Sequence, residues 1–403
     1  MNATFWHTPV SDEPPYRHFV AHVLAPFGQR ISRTRVLQST YGKSTCAILR
    51  VSRGRVCKVR VVPQRLERTH HAPQEASLFA LVRELLPLPD LEIAYCPGDG
   101  EPVVADAITA AARWNGDSGC LPGAVHASAA LMQFRCQAKA HLPFFFWYRE
   151  NIFGDFAAWD ATTAALRRSA AAVPWHRRAS IAFFRGSINE HMTEAACVAA
   201  HPSMRPTRCE LLHLARAHPD AIDYRVGPGS SRPFAAWSGY KYVLFLEGSE
   251  EWADRLKTLL QLGSVVLLQE LWCNEYYFWM MTPWVHYVPV STRMDGLLET
   301  VAWLRAHDEE ARKIGEAGQR FAAEHLSRRN VLAYHRELLQ QYAARYDASG
   351  EGGWPRGACP AQHDIKRRTW EKLLARDHAD PSVRRASGIE HVRRHWTCNR
   401  APR

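Results

Sequence analysis

Between Tyr240 and Ser291 apolar runs alternate with polar breaks in the order strand, helix, strand, helix, strand. The run Tyr242–Leu246 ends at Glu247-Gly248. Asp254–Leu262 has helical spacing, with Gly263 placed to cap its carboxyl end. Val265–Leu268 and Val285–Val290 read as further strands. Such βαβ alternation builds a parallel sheet, and ligands bind at the carboxyl ends of its strands.

The pattern extends in both directions. Upstream, Ile181–Phe184 is a strand ending in Arg185-Gly186-Ser187, Arg208–His218 is a helix stopped by Pro219, and Ile222–Val226 is a strand. Downstream, Leu297–His307, Glu309–His325 and Val331–Tyr346 read as helices. The first half is less regular. Ala47–Val62 alternates like a hairpin turning near Ser52–Gly54. Glu75–Leu86 has helical periodicity. Leu91–Tyr95 and Val103–Ala105 are short strands, and Ala157–Ala172 is helical. A boundary is expected near Ala172–Trp175. The reading is an α/β protein with two Rossmann-like domains facing across a cleft: 1–40 a loose lead-in, 41–174 the first domain, 175–346 the second, 347–403 a linker and basic tail.

Composition narrows the class. The chain has 403 residues, 46% hydrophobic and 23% charged, which suits two globular domains. No apolar run approaches the roughly 18 residues of a membrane span. The amino terminus lacks a basic region followed by an apolar one, so no secretory signal is expected, and the terminal CNRAPR is no retention signal. A cytoplasmic location and an incomplete amino terminus both stay open. The net charge is +11, and residues 365–403 hold eleven Lys or Arg against four Asp or Glu. The charge is therefore a tail property, not the basic stripe of a nucleic-acid enzyme. The tail is either simply solvated or in contact with a polyanion or membrane surface. Ten dispersed cysteines show no zinc spacing and read as ordinary buried thiols.

Candidate chemistry sits at the strand ends. Glycine lets a backbone approach a phosphate, helix amino termini favour anions, and arginine can grip a pyrophosphate with two parallel hydrogen bonds. Arg208 and Arg255 each open a predicted helix, as phosphate ligands or as solvent-facing ion pairs. The chain has no Asp-x-Asp, a motif that can hold a metal on a diphosphate. Trp272, Tyr276, Tyr277, Phe278, Trp279 and Trp284 could stack on a base or sugar, though core packing suits most of them. His286 reads as a satisfied core histidine.

Five blocks carry a resemblance: FRGS at Phe184–Ser187, RCELLHLARAHPDAID at Arg208–Asp223, YKYVLFLEG at Tyr240–Gly248, RLKTLLQLGSVVLLQE at Arg255–Glu270 and PWVHYVPV at Pro283–Val290. In order and spacing they resemble glycosyltransferase family 90 over about residues 45–345. That family includes Rumi-like protein O-glucosyltransferases, fungal capsule xylosyltransferases and lipopolysaccharide-modifying domains. The resemblance implies a GT-B fold and an inverting, metal-independent transfer of glucose or xylose from a UDP-sugar to a protein or glycan hydroxyl, with no cofactor. It implies that Ser187, Arg208 and Arg255 bind UDP, together with Gly186, Gly248, Ala253 and Asp254 in the same loops. It places the general base at Asp99, nine residues beyond Asp90 of Pro89-Asp90-Leu91-Glu92. An acceptor hydroxyl needs a carboxylate to take its proton as it attacks; read alone, Asp99 is a turn residue. Glu275 matches a family glutamate and is expected at the cleft.

The chain also departs from the family. Ala253 stands where a serine is usual, with one residue inserted between Gly248 and Arg255. His70 and His71 occupy the acceptor-contacting segment. Ser238 and Leu262 replace two cysteines bonded in the Rumi-like proteins, which fits a reducing location or divergence. The alternative is a catalytically degenerate member acting as a sugar- or protein-binding scaffold. A different nucleotide-dependent α/β enzyme would require accidental block matches.

Overall fold

The fold is described from a computed structural model, for residues 16–33, 36, 47–61, 72–96, 126–132, 135–136, 139–143, 159–188, 194–199, 207–226, 230–248, 253–271, 273–348 and 363–365. The expected strand Val103–Ala105 lies outside these residues, as do Asp99, His70, His71 and Trp272. Contacts divide the chain into two compact units. One is drawn from Thr8–Phe156 and Leu332–Pro402, the other from Ala157–Val331. The sequence placed these breaks at 174/175 and 346/347.

The first unit opens with α1 (Arg17–Leu24), which buries Phe19, Val20, Val23 and Leu24. The Phe19 ring packs against Tyr334, so this stretch is ordered where a loose lead-in was expected. β1 (Ala47–Ser52) and β2 (Arg55–Val61) form the expected hairpin, with Ser52 paired to Arg55. Its turn residues Arg53 and Gly54 have φ of 49° and 71°, the left-handed pair that suits a two-residue hairpin. After α2 (Ala72–Glu84) come β3 (Leu91–Tyr95), β4 (His126–Met132) and β5 (Lys139–Pro143). The sheet runs His363–Ile365, β2, β1, β3, β4, β5. β1 is antiparallel to both neighbours, while β3, β4 and β5 are mutually parallel, so this sheet is mixed.

Glu92, an inward-facing position of β3, is 4% exposed. Arg33 contacts both its carboxylate oxygens, at 2.9 and 2.8 Å, and the Tyr346 hydroxyl donates to it at 2.8 Å. Burial of a carboxylate is tolerable only with such partners. Asp90, two residues earlier, accepts from the Arg53 amide at 2.7 Å and so braces the hairpin turn. Both acids of the Pro89–Glu92 block therefore have structural work.

The second unit holds α3 (Trp159–Ala171) and a five-stranded sheet. Its strands are β6 (Ala179–Arg185), β7 (Ile222–Arg225), β8 (Tyr240–Phe245), β9 (Val265–Gln269) and β10 (Val288–Val290). All four pairings are parallel, in the order β7-β6-β8-β9-β10. Numbered from β6, that order is 2-1-3-4-5, a doubly wound sheet whose direction reverses between β6 and β8. Helices α4 (Glu194–Ala199), α5 (Thr207–Ala217), α6 (Leu256–Leu259), α7 (Leu297–Ala306) and α8 (Asp308–His325) connect or cover the strands. The closing helix α9 (Arg328–Ala343) contributes its residues from Leu332 onward to the first unit.

Two expectations change here. The second helix of Tyr240–Ser291 does not form. That stretch is instead a two-residue strand, Cys273–Asn274, and a 3₁₀ turn, Phe278–Met280. The last strand begins only at Val288, because Trp284 takes φ of 61° and turns the chain. The cysteines also differ from buried thiols: Cys197 and Cys209 are bonded, and Cys57 and Cys96 are disulfide-bonded too.

Glycine sets how closely α8 lies on the sheet. A Cβ on Gly315 would fall 2.7 Å from the Gly263 carbonyl oxygen, and one on Gly318 would fall 2.6 Å from that of His286. Neither gap admits a methyl group.

Candidate functional site

The reversal between β6 and β8 leaves a crevice at their carboxyl ends, the place where open α/β sheets take ligands. Gly186 and Ser187 follow β6; Glu247 and Gly248 follow β8. Arg208, in the first turn of α5, bridges the two ends. Its Nη1 donates to the Ser187 carbonyl at 2.7 Å and its Nη2 to the Glu247 carbonyl at 2.5 Å. Arg208 is buried, and burial lowers its pKa while Tyr224 and Glu247 oppose that shift. Its Nε has no hydrogen-bond partner among the described residues.

Arg255 arrives from the residue before α6. Its Nη1 donates to the Arg185 carbonyl at 3.1 Å. Both guanidinium groups lie against the Phe184 ring, at 5.5 Å for Arg208 and 5.2 Å for Arg255, distances suited to a cation–π contact. Gly186 lies beside Phe184 and Arg255. A Cβ there would lie 3.1 Å from the Phe184 ring and 3.5 Å from Arg255 Nη1. The Tyr224 hydroxyl lies 3.3 Å from the Gly186 carbonyl; burial pushes its pKa up to about 12, against the pull of Arg208 and Arg255. Arg208, Arg255 and Gly186 thus come together around Phe184, and Ser187 joins them through its carbonyl. Ser187 is exposed, and Gly248, Ala253 and Asp254 are partly exposed.

A hydrogen-bond network ties the α5 turn to the ends of β8 and β9. The Thr207 hydroxyl has one proton, and lies 2.9 Å from both Glu247 Oε1 and the Thr292 carbonyl. It accepts from Gln269 Nε2 at 3.3 Å, while Gln269 Oε1 accepts from the Glu247 amide at 2.9 Å. Gln269 is wholly buried. Thr207 and Gln269 were not singled out from the sequence, while Glu247 entered only as a strand end and Phe184 only as the first residue of the FRGS block. Gln269 had a readable signal, since a polar residue ends an otherwise apolar strand. Thr207 had only its place beside Arg208.

Arg185 serves the sheet. Its Nη2 meets both carboxylate oxygens of Asp223 at 2.9 Å, and its Nη1 donates to the Asp223 carbonyl at 2.8 Å, tying β6 to β7. Glu275, expected at the cleft, is 5% exposed and ion-paired to buried Lys257 at 2.8 Å. Burial pushes its carboxyl up to about 7, with Lys257 pulling it down, and the Tyr277 hydroxyl donates to it at 3.0 Å. Tyr276 and Tyr277 are core residues. His286 lies in the turn before β10, where its Nδ1 accepts from the Thr282 amide at 2.9 Å. Among the described residues no cluster of His, Cys, Asp or Glu is placed to hold a metal. Among the same residues no helix is long and apolar enough to cross a membrane.

The family model described as glycosyl transferase family 90 matches residues 138–351. Protein O-glucosyltransferase 2 of Danio rerio is 36% identical over 153 residues, 34% of this chain and 30% of that protein. Protein O-glucosyltransferase 1 of Homo sapiens is 29% identical over 201 residues, 46% of this chain and 47% of that protein. Protein O-glucosyltransferase 3 of Homo sapiens is 28% identical over 190 residues, 44% and 34% respectively. The chain therefore spans about a third to a half of the length of the curated relatives it matches.

Proposed function

The chain belongs to glycosyl transferase family 90, and on that footing we propose that it transfers glucose or xylose from a UDP-sugar to a hydroxyl of a protein or glycan. The observation that carries the reading is the pairing of Arg208 and Arg255 on Phe184 at the switch point of a doubly wound sheet. Leaving UDP carries developing negative charge. Arg255, the Arg208 turn and the amino terminus of α5 would meet that charge, the role a metal plays in other transferases. The glycine at 186 lets the diphosphate approach the backbone.

The first unit would bind the acceptor. The fold would then be GT-B, with residues 41–174 and 175–346 as its functional halves. Asp99, outside the described residues, would take the acceptor proton as the hydroxyl attacks the anomeric carbon and inverts it. The relatives named as O-glucosyltransferases support a protein acceptor, and the disulfides support an oxidising compartment.

The test is a panel of UDP-sugars scored for binding and for hydrolysis or transfer. Turnover of UDP-glucose or UDP-xylose supports the reading. Ala253, in place of the family serine, favours the second reading, a degenerate scaffold; binding of UDP-sugars with no turnover of any donor would select it.

A further inference from the structure

Three links join α4 to α5 among the described residues. Cys197 is bonded to Cys209, and both residues are fully buried. A ring nitrogen of His213 lies 3.3 Å from the Cys197 carbonyl. Arg216 is ion-paired with Glu194. Positions 209, 213 and 216 follow helical spacing, so one face of α5 carries all three links. That face begins in the turn that bears Thr207 and Arg208.

Helix first turns are the least restrained part of a helix, because their N–H groups lack intrahelical partners. Here the first turn is held from two directions. Thr207 is bonded to the strand ends through Glu247 and Gln269. Cys209 projects about 200° further round the helix, at 100° per residue, and is held by the disulfide. Arg208 lies between them. Its span between the Ser187 and Glu247 carbonyls depends on where that turn sits.

We propose that the Cys197–Cys209 disulfide is a positioning clamp for the Thr207–Arg208 turn, so that tight binding of a nucleoside diphosphate requires the bond to be formed. The inference rests on the reading of this turn as part of the donor site. Reduction by a dithiol passes two electrons and two protons to the pair, leaving two thiols here and a disulfide on the reductant. The site is then complete only where disulfides persist, in an oxidising compartment. The residues bonded are not catalytic; they act through Arg208.

The experiment compares the oxidised protein with the double variant Cys197→Ala/Cys209→Ala. UDP and inorganic pyrophosphate are titrated calorimetrically, and amide hydrogen exchange is followed at residues 207–210. The expected result is UDP affinity about tenfold lower in the variant, a loss on the scale of one charged hydrogen bond, with faster exchange confined to that turn. Unchanged affinity and unchanged exchange would overturn the clamp. If the oxidised protein binds no UDP, the donor reading fails, and the exchange comparison alone decides the clamp. Peptide mapping without reduction serves even if the variant does not fold. A linked Cys197–Cys209 peptide supports the proposal, and alkylation of both as free thiols refutes it.

Discussion

Arg208 and Arg255 approach a single aromatic ring, their guanidinium carbons 5.5 and 5.2 Å from the centre of Phe184. One comes from the first turn of α5, the other from the residue before α6. Two cations drawn to one ring, beside a glycine, concentrate positive charge where the sheet changes direction. An anion lodged there would relieve their mutual repulsion.

Arg208→Lys should cost stability as well as affinity. A lysine keeps the charge but cannot span the Ser187 and Glu247 carbonyls with a rigid fork. One carbonyl would lose its partner, at about 1–3 kcal/mol. Denaturant titration reads this loss directly. Wild-type stability in the variant would show that the bridge holds nothing.

Asp99→Asn should separate chemistry from binding. Removing a general base costs about 10²–10⁴ in rate, while the UDP affinity should stay that of the parent. Transfer at near-parental rate would remove Asp99 from the mechanism.

Gly318→Ala should destabilise the second unit without touching the donor site. The added Cβ meets the His286 carbonyl oxygen at 2.6 Å and Leu260 Cδ2 at 3.3 Å. Helix α8 must shift, for about 1–3 kcal/mol. A lower melting temperature with undiminished UDP affinity per folded molecule is the expected outcome, and an unchanged melting temperature the contrary one.

Lys257→Met should be costlier at pH 8 than at pH 5. Burial raises the Glu275 carboxyl from its ordinary 4.5 to about 7. A carboxyl raised on folding contributes stability that is full below its unfolded value and is lost as pH rises through the folded one. The window therefore runs from about pH 4.5 to pH 7. Without Lys257, Glu275 must carry an unpaired buried charge at high pH, at about 3–5 kcal/mol, and escapes it at low pH by staying protonated. Denaturant unfolding at the two pH values measures the difference. An equal cost at both would mean that Glu275 does not titrate as described.

Much of the second unit was legible because its strands are short apolar runs closed by Gly, Glu or Arg. β6, β7, β8 and β9 fall within a residue or two of their expected limits for that reason. Ser187, Arg208 and Arg255 were grouped through block matches and Glu247 as a strand end, whereas the part played by Phe184, Thr207 and Gln269 emerges only once strand order is known. Residues 272–282 misled the periodicity. Their aromatics have helical spacing, yet Tyr276 and Tyr277 are buried in the turn that leads into the 3₁₀ segment Phe278–Met280. The Cys197–Cys209 bond was invisible because cysteine spacing does not specify connectivity. The partners of Glu92 were equally hidden, since Arg33 and Tyr346 lie 59 and 254 residues away in sequence.

On the proposed function, the carboxyl ends of β6 and β8 bind a UDP-sugar through Arg255 and its neighbours. Calorimetric titration of UDP into the parent and Arg255→Ala tests it most directly. The account predicts saturable binding by the parent, weakened by about 1.5–3 kcal/mol in the variant, as for loss of a charged hydrogen bond. Equal affinity in the two proteins would contradict it.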